Sequence, residues 1–355
     1  MMLLILKVDS FVDLGGVGML KRSLGFSSLA AVCVMALLSP LRAADPVKVR
    51  VGISPVLSSA AVFLAYEKGY YREEGLDIEL VPFAKSGSAM LPQLATGELD
   101  VGGGNLGASF YNAQAKGINL KVVADKGSNT PGSGYLTLVA RQGLTVNSPA
   151  DLKGKTFSFT GPGVSQEIVA DRWLRTGGLT IKDVTVVNMA YEDANPAMAG
   201  GRVDATVQIE PLLTAALTQG MATAIKGAQE IYPNQQSAAM FYGEKFTAEK
   251  PEAARAFMVA YLKGVRDYNR AFVQKKDPDA EVAMLMKHTP TDSPEVMRNA
   301  RPVGLSPDGR LNMTSMQADL DWYAEMGYVQ VKPDLNKLVD HSYVDAAAAK
   351  LKGKR

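Results

Sequence analysis

Three glycines and an aspartate are the first residues whose spacing suggests chemistry. Gly102, Gly104 and Gly107 follow the pattern G-x-G-x-x-G, and an apolar run at 118–124 leads to Asp125. In a dinucleotide-binding unit such glycines let the backbone approach a pyrophosphate, and an acid about 20 residues further on binds the ribose. The motif raises the hypothesis of a nicotinamide or flavin enzyme, which the rest of the chain has to support.

An internal repeat argues against that hypothesis. The segment 94–100, Leu-Ala-Thr-Gly-Glu-Leu-Asp, recurs 104 residues later at 198–204 as Met-Ala-Gly-Gly-Arg-Val-Asp. Each copy predicts a short helix, a glycine turn and a strand, but the second strand has none of the fingerprint glycines. The first copy also has few apolar residues before its glycines, whereas the fingerprint follows a well-formed strand. We therefore expect no nucleotide and no other cofactor, and interpret the glycines as places where backbone amides approach something small.

Strands that alternate with helices predict an α/β fold with parallel βαβ units. The predicted elements are strands at 47–51, 76–81, 120–124, 155–160 and 184–188, and helices at 59–68 and 165–176. Because the same order is used twice, the sequence predicts two α/β lobes. From Pro251 onward the chain is mostly helical, and Pro251 suits a first-turn position. One apolar face at helical spacing comprises Ala254, Phe257, Tyr261, Val265, Tyr268 and Phe272, which we expect in the core.

The N-terminus has the pattern of a secretory signal peptide. Lys21 and Arg22 precede an apolar run at 24–38, and small residues follow as far as Ala43. We expect cleavage after Ala43, and residues 1–18 are not translated if Met19 is the start. A retained anchor is the alternative, but the apolar run is shorter than the roughly 20 residues that a spanning helix needs.

The charge balance and the cysteine content exclude several classes of protein. Removal of residues 1–43 takes away four of the 38 basic and two of the 36 acidic residues, which leaves 34 of each. A neutral chain has no long-range field that attracts nucleic acid or anionic lipid, so we expect neither partner. Cys33, the only cysteine, lies in the removed segment. Thiol chemistry, disulfides and cysteine-based metal sites are therefore excluded from the mature chain, and we expect no metal site.

Several short motifs occur in order along the mature chain. They are Val-Gly-Ile-Ser-Pro at 51–55, Ala-Tyr-Glu-Lys-Gly-Tyr-Tyr-Arg-Glu-Glu-Gly-Leu at 65–76, the two repeat copies, Ser-Pro-Ala-Asp-Leu-Lys-Gly-Lys at 148–155, Gly-Gly-Leu at 177–179 with Asp183-Val184, and Glu-Pro at 210–211. Each motif is weak alone, but their order and spacing are specific. Together they resemble the periplasmic substrate-binding proteins of ABC importers, in the branch that includes nitrate, taurine, alkanesulfonate and thiamine-pyrimidine binders.

The resemblance implies a periplasmic-binding-protein fold of type II, with two α/β lobes, a two-strand hinge and extra C-terminal helices. Residues 44–137 and 238–355 would form lobe 1, and residues 138–237 would form lobe 2. The expected crossings between lobes lie near 135–140 and 238–242. The implied function is capture of an unaltered small solute in the periplasm by a monomer, which then meets an ABC permease in the membrane.

In open α/β sheets the ligand lies outside the carboxyl ends of the strands, near helix N-termini that favour anions. This rule, with two tyrosines as an aromatic wall, selects Ser54, Leu57, Ser58, Ser59, Lys85, Ser86, Gly103, Gly104, Asn105, Tyr135, Gly163, Val164, Ser165, Tyr191 and Glu210. Each has a plain structural alternative. The serines suit helix caps, and a loop lysine is most often solvated.

Glu210 decides between two ligand classes. A buried carboxylate needs a partner. A carboxylate at the end of an apolar strand is therefore either a ligand group for an amine or the partner of an internal Lys or Arg. The first case predicts a zwitterion or a donor-rich heterocycle. The second predicts a plain organic anion, such as a carboxylate or a sulfonate.

Three other functions are the competing hypotheses. A thiamine-pyrimidine synthase on the same fold depends on cysteine and histidine, whereas the mature chain has no cysteine and two distant histidines, His288 and His341. A serine hydrolase needs a nucleophile elbow, and no G-x-S-x-G occurs in the mature chain. A transcription regulator of similar design would carry DNA-binding helices and no export signal. We therefore expect a binding protein and no enzyme.

Overall fold

Two five-stranded sheets organise residues 45–83 and 87–353, which are the residues that the structure, a computed structural model, describes. The first sheet comprises β1 (Val47–Ile53), β2 (Leu76–Pro82), β3 (Val101–Asn105), β4 (Leu120–Ser128) and β10 (Gln236–Gly243). The second sheet comprises β5 (Leu136–Arg141), β6 (Thr156–Phe159), β7 (Thr185–Asn188), β8 (Ala205–Ile209) and β9 (Ala222–Gly227). The predicted signal peptide lies outside the described residues.

The two sheets have the same topology. The strand order is β2-β1-β3-β10-β4 in the first and β7-β6-β8-β5-β9 in the second. In each sheet the first three strands of this spatial order are parallel to one another. The fourth strand is antiparallel to the third, and the fifth is antiparallel to the fourth. β3 and β8, which follow the two copies of the sequence repeat, occupy the same place in their sheets.

The repeated aspartate has the same role in both sheets. The Asp100 carboxylate accepts a hydrogen bond from the amide of Arg50 in β1 at 2.9 Å, and the Asp204 carboxylate accepts one from the amide of Thr156 in β6 at 3.0 Å. The amide of each aspartate donates back to the carbonyl of the same residue, at 3.0 and 2.8 Å. Each aspartate therefore joins the start of the third strand to its parallel neighbour.

We expect Asp100→Ala and Asp204→Ala each to lower the free energy of unfolding by about 1–2 kcal/mol, because each leaves a part-buried strand amide without its acceptor. Urea denaturation measures the loss. Asp77→Ala, at an exposed position of β2, is the matched control. A loss no larger than the control's would contradict the proposed role of the repeat.

The chain crosses between the sheets earlier than the sequence predicts. Residues 129–135 join β4 to β5, and residues 228–235 lead from β9 back to β10. The two crossings are hydrogen-bonded to each other, from Asn129 N to Gln235 O at 2.9 Å and from Asn234 N to Asn129 O at 2.7 Å. The predicted crossings at 135–140 and 238–242 fall largely on β5 and β10 instead. These apolar runs are buried because both strands are internal to their sheets.

Fifteen α-helices surround the sheets in the described part of the chain. They are α1 (Ala60–Glu67), α2 (Tyr70–Glu73), α3 (Leu91–Thr96), α4 (Ala108–Ala115), α5 (Ser165–Arg175), α6 (Tyr191–Ala199), α7 (Leu212–Thr218), α8 (Ala228–Ile231), α9 (Glu244–Glu249), α10 (Pro251–Tyr268), α11 (Asp279–Met286), α12 (Pro294–Asn299), α13 (Met313–Glu325), α14 (Leu335–Leu338) and α15 (Ser342–Lys352). Within the described ranges, no helix is apolar over enough residues to cross a bilayer.

Helix α10 packs its predicted apolar face into the core. All six residues assigned to that face are buried, and Pro251 is the first residue of the helix. Helix α1 crosses α10 at Gly264, where an added Cβ would lie 2.1 Å from the carbonyl oxygen of Ala61. The absence of a side chain at Gly264 therefore sets how closely these helices pack, and α1 in turn follows the loop at the end of β1.

Candidate functional site

A narrow cleft lies where the carboxyl ends of parallel strands from both sheets meet. Its lining residues are Ser54, Val56, Ser58, Gly104, Asn105, Lys126, Tyr135, Leu136, Thr160, Gln166, Tyr191, Ile209, Ser237 and Ala238. The free volume between them is about 30 Å³, which is room for one or two water molecules. Nine of these fourteen residues have polar side chains, so the cleft suits a small solute with several hydrogen-bonding atoms.

Among the described residues that line the cleft, Lys126 is the only one with a cationic side chain. It lies near the end of β4 and is 1% exposed, and its Nζ donates to the Ser58 hydroxyl at 2.9 Å. No carboxylate of the described residues forms an ion pair with it. Burial lowers the pKa of Lys126 to about 7, although the charge of Asp125 acts in the opposite direction. A solute that brings a negative charge would satisfy this ammonium group.

Asp125 is directed away from the cleft. Its carboxylate accepts hydrogen bonds from the Gln236 side chain at 2.6 Å and from the amides of Ser306 and Gly127 at 2.7 and 2.9 Å. Burial raises the pKa of Asp125 to about 6, and these hydrogen bonds limit the rise. Asp125 therefore stabilises the strand end, and its internal partners argue against the ribose-binding role that the dinucleotide hypothesis gives it.

The glycines of the fingerprint make room for neighbouring side chains. An added Cβ on Gly103 would lie 3.0 Å from Cε of Lys126, and one on Gly102 would lie 2.7 Å from Cδ1 of Leu94. Gly102, Gly103 and Gly104 belong to β3 and do not form a phosphate-binding turn before a helix. In β3, glycine at position 103 allows the Lys126 side chain to reach the cleft.

Asn105 joins the two sides of the cleft. Its side-chain amide donates to the Ser165 hydroxyl at 2.6 Å and to Oε1 of Gln166 at 3.1 Å, and its carbonyl oxygen accepts from the Ser165 amide at 3.1 Å. Asn105 ends β3 in the first sheet, whereas Ser165 and Gln166 begin α5 beside the second. Asn105 thus occupies the helix N-terminus that could otherwise face an anion directly.

Two backbone contacts close the cleft further. The amide of Ala108 donates to the carbonyl of Gly163 at 2.8 Å, and the amide of Leu57 donates to the carbonyl of Glu210 at 2.9 Å. Both hydrogen bonds join the side of the cleft that the first sheet forms to the side that the second sheet forms. The structure therefore has the two sides in direct contact around the cleft.

Two tyrosines, Tyr135 and Tyr191, line the cleft. The Tyr135 hydroxyl is hydrogen-bonded to the Ser237 hydroxyl, which itself donates to the carbonyl of Gly127 at 2.9 Å. The Tyr135 hydroxyl is therefore the donor in the first of these bonds. On the opposite side, the Tyr191 hydroxyl accepts from the side-chain amide of Gln166. Burial raises the pKa of both tyrosines, so both phenols are neutral at pH 7.

Glu210 is fully buried and has internal partners. Its carboxylate accepts from the amide and the hydroxyl of Thr214 at 3.0 and 2.8 Å, and from the amide of Arg301 at 3.0 Å. Burial raises its pKa to about 7, which these hydrogen bonds partly offset. The side chain is absent from the cleft lining. This geometry favours the internal-partner alternative, with amides and a hydroxyl in place of a basic side chain.

The family model described as NMT1/THI5 like matches residues 57–270, which is more than half of the chain. The chain belongs to this family. The resemblance inferred from its motifs is thereby confirmed. Most of the strands and helices that form the cleft lie within the matched residues.

The curated relatives of this NMT1/THI5-like chain include binding proteins and a synthase. "Putative aliphatic sulfonates-binding protein" of Bacillus subtilis (strain 168) is 25% identical over 313 residues, 84% of this chain and 88% of that protein. The 4-amino-5-hydroxymethyl-2-methylpyrimidine phosphate synthase THI13 of Saccharomyces cerevisiae is 26% identical over 221 residues, 58% of this chain and 62% of that protein. The chain spans less than two thirds of the length of four curated relatives that it matches.

The fold is shared with a solved binding protein. The structure of the alkanesulfonate-binding protein SsuA from Xanthomonas axonopodis pv. citri bound to MOPS has a TM-score of 0.69 with this chain. The two are 21% identical, and the match covers 84% of this chain and 100% of that chain. The predicted fold class, two α/β lobes of the periplasmic-binding-protein type, is confirmed.

The cleft of this NMT1/THI5-like protein contains part of the predicted site. Six predicted residues line it, namely Ser54, Ser58, Gly104, Asn105, Tyr135 and Tyr191. Seven others do not, namely Leu57, Ser59, Gly103, Gly163, Val164, Ser165 and Glu210. Lys85 and Ser86 lie outside the described residues. The Ser59 hydroxyl donates to the carbonyl of Ser54 at 2.6 Å, so it stabilises the loop and does not cap α1.

Eight lining residues were not predicted. They are Val56, Lys126, Leu136, Thr160, Gln166, Ile209, Ser237 and Ala238. The sequence does mark Lys126, because a lysine two residues after the apolar run of β4 stands near the carboxyl end of a strand. The apolar pattern predicts the end of that strand at Ala124 and so does not select Lys126, whereas β4 continues to Ser128.

We expect Glu210→Gln to change the pH dependence of stability and to leave ligand affinity unchanged. The pKa of Glu210 in the folded state lies above its ordinary value, so its proton stabilises the wild type below about pH 4.5. That contribution is lost as the pH rises to about 7. The glutamine of the Glu210→Gln variant does not titrate. The difference in free energy of unfolding between the variant and the wild type should therefore change by on the order of 2 kcal/mol between pH 4.5 and 7.5.

Thermal unfolding across this pH range measures the difference. Identical pH profiles for the two proteins would contradict the raised pKa. A loss of affinity restricted to amine-bearing ligands would instead restore Glu210 as a ligand contact.

Proposed function

We propose that this protein is the extracytoplasmic solute-binding component of an ABC transporter, and that its ligand is a small organic anion. The observation that carries the proposal is Lys126, an ammonium group that is 1% exposed, lines the cleft and has one hydrogen-bond partner among the described residues, the Ser58 hydroxyl. A buried charge is costly unless it is paired. A carboxylate or sulfonate in the cleft would supply the missing charge.

The polar groups around Lys126 suit an oxyanion. The hydroxyls of Ser58 and Thr160 line the same cleft, and hydroxyl donors bind the further oxygens of such a group. Asn105 and Ser237 also line it, but they donate to protein acceptors. Glu210 has internal partners, so it offers no carboxylate to a ligand amine. These contacts favour a plain organic anion over a zwitterion or a donor-rich heterocycle.

Capture occurs by closure of two lobes. The contacts of Asn105 with Ser165 and Gln166, and of Ala108 with Gly163, form only when the two sides meet. A ligand that bridges both sides shifts the equilibrium toward this closed form by its extra affinity for it. The closed form is then the one that the membrane permease recognises.

The relatives support the transport role. The names of the Bacillus subtilis relative and of the Xanthomonas structure both refer to sulfonate binding. Because each lobe should contain one whole sheet, we propose lobe 1 as residues 44–128 and 236–355 and lobe 2 as residues 136–231, a few residues from the expected bounds at 137/138 and 237/238. We also propose export of a monomer to the periplasm by the segment 1–43. The segments between Asn129 and Tyr135 and between Tyr232 and Gln235 would act as the hinge.

Catalysis of the synthase type is the second candidate, because one relative bears that name. In the part of the chain that the structure describes, the cleft lining contains neither histidine nor cysteine. His288 stacks on Phe63 with ring centroids 4.7 Å apart and is hydrogen-bonded to Glu67, and His341 accepts from the amide of Leu311 at 3.2 Å. Both histidines have structural partners outside the cleft, which favours binding over catalysis.

Thermal-shift measurements on the chain from residue 44 onward test the proposed function. The panel comprises sulfonates, carboxylates, nitrate, amines and pyrimidines, and native mass spectrometry then records the bound mass. An organic anion at 100 times its dissociation constant should stabilise the protein by about 2.7 kcal/mol and be recovered unchanged. Stabilisation by amines or pyrimidines alone would overturn the anion class. Chemical conversion of any compound would overturn the binding function.

A further inference from the structure

A chain of hydrogen bonds runs from the start of α5 through Asn105 to the Tyr191 hydroxyl. Its first donor is the backbone amide of Ser165, which donates to Oδ1 of Asn105 at 3.1 Å. Nδ2 of Asn105 donates to Oε1 of Gln166 at 3.1 Å, and Nε2 of Gln166 donates to the Tyr191 hydroxyl. Asn105 ends a strand of the first sheet, whereas the other three residues lie beside the second. The chain is therefore complete only when the two sides of the cleft meet.

The backbone amide fixes the direction of every bond in this chain. An amide N–H can only donate, so the Asn105 atom that faces Ser165 is the carbonyl oxygen. The NH₂ group of Asn105 then faces Gln166, which has to turn its own oxygen to Asn105 and its NH₂ group to Tyr191. The Tyr191 oxygen is thus an acceptor in this chain. Its O–H proton is left for another group.

Tyr191 and Lys126 line the same cleft from opposite sides. Lys126 belongs to β4 of the first sheet, and Tyr191 begins α6 beside the second. A carboxylate or sulfonate between them has an oxygen for each donor. A hydrogen bond to a charged acceptor is stronger than one between neutral groups, and the donors behind Tyr191 polarise its O–H further.

We propose that Tyr191 donates a hydrogen bond to the anionic group of the ligand, and that Asn105 and Gln166 are positioning residues that direct its proton into the cleft. The proposal rests on the proposed function, which places an anion beside Lys126. In an open form Asn105 is withdrawn from Gln166, whose amide can then rotate and accept the Tyr191 proton through Oε1. Closure reverses this bond, so the second lobe presents its donor only when the lobes meet.

Calorimetric titration of methanesulfonate and of acetate into the chain from residue 44 onward tests the donor. We expect Tyr191→Phe to weaken binding of whichever anion the wild type binds by about tenfold or more, because a hydrogen bond to a charged acceptor is lost. Tyr66→Phe, at an exposed tyrosine of α1 outside the cleft lining, is the matched control and should keep the affinity.

Wild-type affinity in Tyr191→Phe overturns the inference and leaves the proposed function intact, since a protein group such as Thr160 would then hold the phenol proton. Binding of neither anion by the wild type counts against both.

Gln166→Leu tests whether the positioning residues act through Tyr191. It should weaken binding about as much as Tyr191→Phe does. The double variant should bind within about twofold of Tyr191→Phe alone, because Gln166 has nothing to orient once the hydroxyl is gone. Losses that add in the double variant overturn the positioning role.

Replacement of Tyr191 with 3-fluorotyrosine tests the direction of the last hydrogen bond. Fluorine lowers the pKa of a phenol and makes it a better donor, while burial keeps this phenol neutral at pH 6. Affinity for the anion should therefore rise by about twofold or more, which a purely structural role of the ring does not produce. A lower affinity would show that the phenol is an acceptor, and an unchanged one that it does not contact the anion. Either result overturns the inference.

Discussion

Lys126→Met should weaken anion binding by at least 100-fold. The unliganded variant should be as stable as the wild type or more stable. The affinity is lost because the methionine keeps the length of the side chain but removes the charge that pairs with the ligand. Stability is retained because replacing an unpaired buried charge with an apolar side chain is neutral or favourable. Isothermal titration and thermal unfolding measure the two effects, which have opposite directions.

The lowered pKa of Lys126 makes both the anion affinity and the stability of the unliganded protein depend on pH. Without ligand the ammonium form is depleted as the pH rises through about 7, so wild-type affinity for an anion should fall above that pH. Between about pH 7 and 10.5 the unfolded chain holds a proton that the folded chain lacks, so this group makes the wild type more stable as the pH rises. The stability advantage of Lys126→Met should therefore be larger at pH 6 than at pH 9.

Lys116→Met is the control, because Lys116 is an exposed lysine at the end of α4. It should keep the affinity of the wild type and its pH dependence. Retained anion affinity in Lys126→Met would show that Lys126 does not contact the ligand. A large loss of stability in that variant would show that the charge of Lys126 already has a partner in the free protein.

Gly107→Val keeps the lobes apart and weakens ligand binding by at least tenfold. A Cβ at residue 107 would lie 2.8 Å from the carbonyl oxygen of Gly163 and 3.2 Å from Oδ1 of Asn105. Residue 107 has φ −94 and ψ 173, a backbone conformation that valine adopts without strain. The added side chain therefore clashes with the opposite lobe only in the closed form.

Small-angle scattering at a saturating ligand concentration measures this effect. The radius of gyration of Gly107→Val should stay at its ligand-free value, whereas that of the wild type decreases on binding. Gly353→Val is the control, since the nearest atom to an added Cβ there is 4.0 Å away. Wild-type affinity and compaction in Gly107→Val would contradict the role of this contact in closure.

The sequence predicted most of the fold because its elements have clear periodicity. The alternating valines of β1 and the helical spacing of α10 each follow from one buried face. The crossings were predicted too late because residues 135–140 and 238–242 are apolar on both faces. Such runs are typical of internal strands, whereas the two crossing segments, 129–135 and 228–235, carry no periodic pattern.

The site was only partly predictable. The rule on strand ends found Ser54, Ser58, Gly104 and Asn105, because their strands end where the apolar pattern ends. It missed Lys126, since β4 continues through polar residues whose side chains have buried partners. The role of Glu210 depends on Thr214, four residues on, and on Arg301, 91 residues away in the chain. No local pattern reports the second of these contacts.

The position of β10 has a consequence for synthesis of the protein on the ribosome. β10 lies between β3 and β4 in the first sheet, but in the chain it follows every strand of the second sheet. All strands of the second sheet emerge within residues 136–227, so that sheet can be completed while the first still lacks an internal strand. Until Gly243 has emerged, the nascent chain exposes unpaired edges of β3 and β4, the stage at which it is most prone to aggregate.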